Sequence, residues 1–379
     1  MLVTKDGFLR PAFSRDLSTA EHATLSRICP SVGQKCPKDR RQIDPIWGPY
    51  VSAESGFATD PAVRHQAASG GALSGFLTFL IKANQVDGVI QVTADPTNPL
   101  ANVTTISTTD QAILAASGSR YAPSSPLDIL RTLHGETRRF AFVGKPCDVS
   151  ALHALRKLDP NLAQMVPVLV SFFCAGVPSL LGGDDILRHM NVDPEQVSQF
   201  RHRAQGWPGR ATATLHDGTR QSISYAESWG KILSKRVQHR CKICADGSGV
   251  FADVVFADAW EADADGYPDF HDRPGQSLVL CRTQTGRSLL DAARASRHLE
   301  LSPYNLGALA GVQPGQTRRR RVLLARLAAL WLMGRAIPRY RGMGLWGMAR
   351  RASLSDTIRN FGGMIRRASR PHIEGNDPC

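Results

Sequence analysis

The sequence predicts an α/β fold built on a largely parallel sheet, and three observations carry that prediction. Apolar runs of strand length alternate with segments of helical period between residues 70 and 175. Chemistry-bearing residues fall just past the ends of the predicted strands, the edge where open α/β sheets bind ligands. Hydrophobic residues make up 42% of the 379 positions, enough to bury a core and to exclude general disorder.

Taken in order, residues 1–60 are polar, rich in Pro and Gly and weakly patterned, and read as an irregular N-terminal segment holding Cys29 and Cys36. At "HQAASGGALSGFLTFLIKANQVDGVIQV" the texture changes. Ser69-Gly70-Gly71 opens a helical pattern of Leu73, Phe76, Leu77, Leu80 and Ile81, and a strand follows from Gly88 to Val92. Such a turn leaves backbone N–H groups facing outward at a helix start, where the dipole favours an anion. Short glycine clusters are also common in plain loops, so spacing alone favours an ordinary cap. A helix near Asp110–Ser117 and the turn "SGSRYAPSS" come next. "RRFAFVGKPCDVSALHALRKL" reads as strand, tight turn and helix. "MVPVLVSFFCAGVPS" reads as a buried strand ending at Cys174. Residues 192–227 are turn-rich and β-like, with "HDGT" as a hairpin turn. The expected division is therefore an N-terminal segment at 1–60, a main domain at 61–317 with a turn-rich β insertion, and a basic helical tail at 318–379.

The net charge of +13 is not spread evenly. Residues 318–370 hold 14 Arg, no Lys and one acid, Asp356, whereas residues 1–317 are nearly neutral. This argues against a basic nucleic-acid groove on the main domain. The tail reads either as a basic amphipathic surface for an anionic membrane or partner protein, or as a helix packed on the body with a solvated Arg face. The first residues lack the apolar stretch of a secretory signal, and no run is long enough to span a bilayer. The expectation is a cytoplasmic protein, with peripheral contact at the inner membrane face as an option, in which eight cysteines serve as ligands or redox groups.

Cys241-x-x-Cys244 admits three readings. A redox dithiol should open a helix after a strand, whereas this pair precedes a Gly-rich turn and the strand "ADVVFAD". A zinc site and an iron–sulfur cluster both take four thiolates, and ligand type does not separate them. Cys147 and Cys174 are the candidates to complete the set, with Gly144, Pro146 and Gly176 leaving backbone close by. Each alone reads equally as a small buried apolar residue.

The ordered motifs "SGGALSGFLTFLI", "GSRYAPSSP", "FAFVGKPCDVSAL", "SFFCAGVPS", "GWPG", "ESWG", "RCKICADGSGVFADVVFADAW" and "GQSLVLCRT" together resemble the coenzyme F420 hydrogenase/dehydrogenase beta-subunit family. Its relatives include ferredoxin-dependent chlorophyll-pathway reductases, and the resemblance spans roughly residues 5–315. It implies a flavoprotein with FAD and one or more [4Fe–4S] clusters, ligated here by Cys147, Cys174, Cys241 and Cys244. It assigns Ser69, Gly70 and Gly71, and Ser119, Arg120 and Tyr121, to the flavin side, with FAD phosphate as the anion at Ser-Gly-Gly. Many relatives carry a CxxCxxC run before the "GFLRP" found here at Gly7–Pro11. Without it, Cys29 and Cys36 lack partners for a second cluster, so either one cluster is present or the true start lies upstream.

The expected activity is therefore that of an iron–sulfur flavoprotein oxidoreductase, served by an electron-donor protein or reduced deazaflavin. The alternative is a zinc-stabilised, non-catalytic binding protein docking through its tail. Lys145 is expected near the N1/C2 carbonyl edge of the flavin, where positive charge favours the reduced form. Asp246, Asp253 and Asp258 read as residues that orient loops. Arg201, His202 and Arg203 read either as a site for an anionic group or as a solvated basic cluster. No Ser-His-Asp order or P-loop is present.

Overall fold

The computed structural model describes residues 1–37, 42–261, 263 and 268–369. In chain order the elements that build the site are α1 (Thr19–Ile28), β1 (Ser52–Ala58), α2 (Ala72–Lys82), β2 (Gly88–Ala94), β3 (Asn102–Ser107), β4 (Phe140–Gly144), α3 (Pro146–Arg156), β5 (Val168–Phe172) and α4 (Leu180–His189). There follow β6 (Val197–Ala204), β7 (Arg210–Leu215), β8 (Arg220–Ser224), β9 (Val254–Asp258), β10 (Ser277–Cys281), α5 (Gln284–Ala295) and β11 (Leu299–Pro303). The tail forms α6 (Pro314–Leu332), α7 (Leu345–Ala349) and α8 (Leu354–Ala368).

Eight strands form one sheet in the order β11-β1-β10-β9-β5-β4-β2-β3. Its centre, β9-β5-β4-β2, is parallel. Antiparallel strands extend it on both flanks. A parallel centre suits β4 and β5, which are largely apolar, buried on both faces and linked through α3. Side chains alternate between two cores with the period of two that a strand imposes. Ala141, Val143, Val168, Val170 and Val254 pack with Phe76, Leu77 and Leu80 of α2. Phe140, Phe142, Leu169, Val255 and Leu280 face the other way, toward Val149 and Leu152 of α3 and Leu323 and Leu327 of α6.

The β insertion is an antiparallel sheet, β6-β7-β8, with its own small core around Ile186, Phe200, Ala213 and Leu233. Its hairpin turns at Asp217-Gly218, where Gly218 has φ +86° and Thr219 N–H donates to Asp217 at 2.8 Å. A register shift in β6 between Arg201 and Ala204 re-aims the residues between them.

The segment expected to be irregular holds one helix and several short strands, and two of its elements bear on the site. Ser18 and Glu21 cap each other at the start of α1. β1 is a full member of the sheet, and its sequence hides this. Glu54 is buried in mid-strand because Arg287 and Arg294 reach its carboxylate at 2.9 and 2.8 Å. Gly56 is required because any Cβ there would collide with the Glu300 carbonyl of β11. The tail packs on the body rather than standing apart. Arg339–Arg341 pairs in parallel with Gly33–Lys35, and Met364 and Ala368 of α8 join the same core as α6. Among the described residues no helix is long and apolar enough to cross a membrane.

Candidate functional site

Three loops meet at the carboxyl edge of the parallel strands. β4 ends at Gly144 and delivers Cys147 on the first turn of α3. β5 ends at Phe172 and delivers Cys174. The third loop carries Cys241 and Cys244. It is fastened beside the second by the Pro178–Val237 bridge and by the bond from Cys174 N–H to Gly247 O, 2.9 Å. The buried Asp246 carboxylate shapes this loop by accepting from the backbone of Ser248 (3.1 Å), Gly249 (2.7 Å) and Val250 (3.2 Å). Asp253 similarly accepts from Leu169 N–H at 2.9 Å and Thr283 Oγ1 at 2.7 Å.

The four thiols are close enough to act on one another. Burial raises Cys147 well above its ordinary pKa, and Asp148, Cys174 and Cys244 add to that. Burial and Cys241 push Cys174 up to about 12. Burial also raises Cys244, against the pull of Arg319 and Arg240. Unligated, these three groups would thus be protonated. Their surroundings nonetheless suit sulfur anions. Val177 N–H and Gln238 Nε2 each donate to Cys241 Sγ at 3.3 Å, and the Gly176 backbone donates toward Cys174. Among the described residues no three His, Cys, Asp or Glu side chains are gathered at single-ion spacing.

Lys145 is not a surface residue. Its Nζ lies 2.7 Å from Asp148 and 2.6 Å from Ser124 Oγ. Burial alone would lower its pKa, but Asp148 and the thiols of Cys147 and Cys174 outweigh burial and raise it.

A second centre forms at the end of β9. Ser69, Gly70 and Gly71 are three successive left-handed residues, with φ of 56°, 75° and 71°, leading into α2, which has no side-chain cap. Ser69 Oγ donates to Asp258 at 2.6 Å. Asp258 also receives both ends of the Arg203 guanidinium at 2.6 and 2.8 Å and Trp207 Nε1 at 2.9 Å. Burial opposes ionisation of Asp258, yet Arg203, Ser69 and Trp207 hold its pKa below the usual carboxylate value. Gly70 packs on the backbone of Gly275, where a Cβ would collide. His202 and Arg203 are 1% and 3% exposed, so a solvated cluster at 201–203 is not what forms. The β6 register shift turns Arg203 inward, and Asp258 neutralises it.

The Ser119–Tyr121 turn borders this centre. Ser119 N–H donates to Arg203 O at 2.9 Å. Tyr121 packs 4.9 Å from Trp229 and 5.7 Å from His202. Arg120 is fully engaged within the protein, donating to Asn102 Oδ1 and to the carbonyls of Pro99, Ala101 and Phe200 at 2.6–2.8 Å. Beside it lies a cavity of about 440 Å³ lined by Gln66, Thr93, Ser119, Arg120, Arg201 and Arg203, among others. The structure thus gathers the four cysteines with Lys145 around one edge. Ser69–Gly71 and Ser119–Tyr121 gather around Arg203.

Residues 53–131 match the N-terminal region, and residues 137–306 the carboxy-terminal region, of the family described as "Coenzyme F420 hydrogenase/dehydrogenase, beta subunit". The chain belongs to the coenzyme F420 hydrogenase/dehydrogenase beta-subunit family. Similar proteins include the coenzyme F420 hydrogenase subunit beta of Methanococcus voltae, 24% identical over 65% of this chain and 81% of that one. The chloroplastic 7-hydroxymethyl chlorophyll a reductase of Oryza sativa is 25% identical over 56% of this chain and 43% of its own. The coenzyme F420-dependent sulfite reductase of Methanocaldococcus jannaschii is 24% identical over 77% and 44%. The chain therefore spans less than half the length of these two reductases. The fold matches a chain of the F420-reducing [NiFe] hydrogenase complex from Methanosarcina barkeri, with TM-score 0.56, 22% identity, and 75% of this chain and 96% of that one covered. The relatives are oxidoreductases, and so is this member of the family.

Within this family member, residue-level reading missed the Arg203–Asp258 pair and the arginines of α6. The signal for the first was "FRHRA", where two arginines flank a histidine inside a strand that is otherwise half-buried. For the second there was none, because a run of four arginines reads as solvated whatever lies beneath it.

Proposed function

We propose that the chain is an iron–sulfur flavoprotein oxidoreductase, holding one [4Fe–4S] cluster on Cys147, Cys174, Cys241 and Cys244 and FAD against Ser69–Gly71 and the Ser119–Tyr121 turn. The observation that carries this reading is the convergence of four thiols from three loops, with sulfur-directed N–H donors and the cations Lys145, Arg240 and Arg319 around them. When bound, a flavin exchanges electrons in pairs and a cluster exchanges them singly, so the two together convert one mode into the other. The residues supply the setting. The uncapped start of α2 offers N–H groups to a phosphate. Asp258 fixes Ser69 and Arg203 in one arrangement. Lys145, tied to Asp148 and Ser124 beside Cys147, is the buried positive charge this reading sets near the N1/C2 carbonyl edge of the flavin. An electron-donor protein or a reduced deazaflavin is the source of electrons this reading requires.

Protein purified without oxygen is expected to show broad absorption near 400 nm over flavin bands, with about four iron and four sulfide per chain. A colourless protein holding a single zinc would overturn the proposal in favour of a zinc-stabilised, non-catalytic binding protein.

The tail supports a further reading of location. Trp331, Leu332, Trp346, Leu354 and Ile358 are 63–76% exposed, and Arg350, Arg351 and Arg359 are exposed among them. We infer that α6–α8 contact an anionic membrane surface, with the indoles at the headgroup level. Full-length protein is expected to sediment with phosphatidylglycerol vesicles at low salt and to be released at high salt. Sedimentation equal to that with neutral vesicles would remove this reading.

A further inference from the structure

α6 lies outside both matched spans, yet three of its arginines reach the thiol loops. Arg319 donates to the carbonyls of Cys174 at 2.9 Å and Ala175 at 3.3 Å. Gln316 donates to the same Cys174 carbonyl at 3.0 Å. Arg320 donates to Ala245 O at 2.7 Å and Met343 O at 2.6 Å, and Arg326 to Lys242 O at 2.8 Å. Met343 apart, these carbonyls belong to Cys174 itself and to the neighbours of Cys174, Cys241 and Cys244. Gly247 fits this contact by its lack of a side chain, since a Cβ there would collide with the Arg319 guanidinium and the Gln316 amide.

Arg319 and Arg320 are each only 9% exposed. Neither forms a salt bridge among the described residues; carbonyl dipoles are what they bond. Buried cations without a carboxylate partner are costly unless negative charge stands nearby. For Arg320 the buried Asp246 carboxylate supplies part of that charge; for Arg319 the groups at hand that gain negative charge on ligation are the thiols.

We propose that Arg319, supported by Arg320, is a positioning residue that balances the charge of the four-sulfur site and raises the reduction potential of the iron held there. This rests on the cluster reading above. One electron from an external reductant adds one negative charge to the sulfur-bound iron, and a fixed buried cation stabilises that state more than the oxidised one. Arg319→Gln keeps a polar side chain and loses the charge, while Gln316 still donates to the Cys174 carbonyl. Arg319→Lys keeps the charge.

The test is an anaerobic redox titration of the full-length protein, followed by the cluster's visible and EPR signals, with iron and sulfide measured on each sample. Arg319→Gln is expected to keep its iron and to disfavour reduction tenfold or more, which is 59 mV for one electron. Arg319→Lys is expected to titrate close to the wild type. Equal potentials in wild type and Arg319→Gln overturn the proposal, and so does a Lys variant shifted as far as the Gln variant. Should Arg319→Gln not yield folded protein, Arg320→Gln must shift in the same direction, and an unshifted potential there overturns it as well. Wild type without iron overturns both this proposal and the reading beneath it, so the two failures are distinguishable.

Discussion

Asparagine in place of Asp258 is expected to lower stability by about 3 kcal/mol or more, because it strands a buried guanidinium. Asp258 accepts four bonds from Arg203, Ser69 and Trp207, and Arg203 is 3% exposed. The amide keeps the shape of the carboxylate and part of its hydrogen bonding, so the loss isolates charge. For a chain of this length the melting temperature should fall by about 4 °C. The same change weakens the hold on Ser69, which donates to this carboxylate at 2.6 Å, so under the proposed FAD reading flavin retention through gel filtration should fall with it. A double variant, Arg203→Met with Asp258→Asn, should recover part of the melting temperature, since it removes the stranded charge. An unchanged melting temperature in the single variant would mean that water reaches the pair.

If Cys174 ligates the proposed cluster, serine at position 174 is expected to lower bound iron clearly below the wild-type content, because a cluster of this type takes four thiolates. The backbone at Cys174 keeps its bonds to Gly247, Gln316 and Arg319, so the fold should survive, and with it any flavin bound as proposed. Cys281→Ser is the control. That thiol is buried in β10, facing Val279 and the α2 core rather than the three-loop edge, and its loss should leave iron content unchanged. Full iron in the Cys174 variant would remove Cys174 from the ligand set. The comparison also tests Cys29 and Cys36, since iron beyond one cluster would have to be held elsewhere.

What could be read from the chain was whatever is written locally. The helix of α2 announced itself through Phe76, Leu77 and Leu80 at helical spacing, and β4 and β5 through largely apolar runs. Parallel strands end at a common edge, so Cys147 and Cys174 could be placed together from their positions alone. What could not be read depends on partners far along the chain. Glu54 looks unsuited to a central strand until Arg287 and Arg294 are seen beside it. Asp258 reads only as a loop-orienting acid and Arg203 as part of an anion site or a solvated cluster, until the fold pairs the two. Arg319 and Arg320 sit in a run of four arginines, and only the folded chain shows that two of them meet loop carbonyls while Arg318 faces outward to Asp356. The amide-rich edges of loops have no sequence signature, so their donors have none either.

The position of β1 has a consequence for how the chain reaches this state. Gly56 lies opposite Ser277 on one side and Leu301 on the other. An early strand is thus inserted between two late ones, and the sheet has no partner for it until nearly the whole catalytic body has been synthesised. Pairings so distant in sequence delay folding, since the closure entropy must be met before any of them contributes. Until then, β1 and the edge of β9 that β10 will cover are open to other chains. Expression yield in this protein should therefore respond more to chaperone supply and growth temperature than to substitutions on the finished surface.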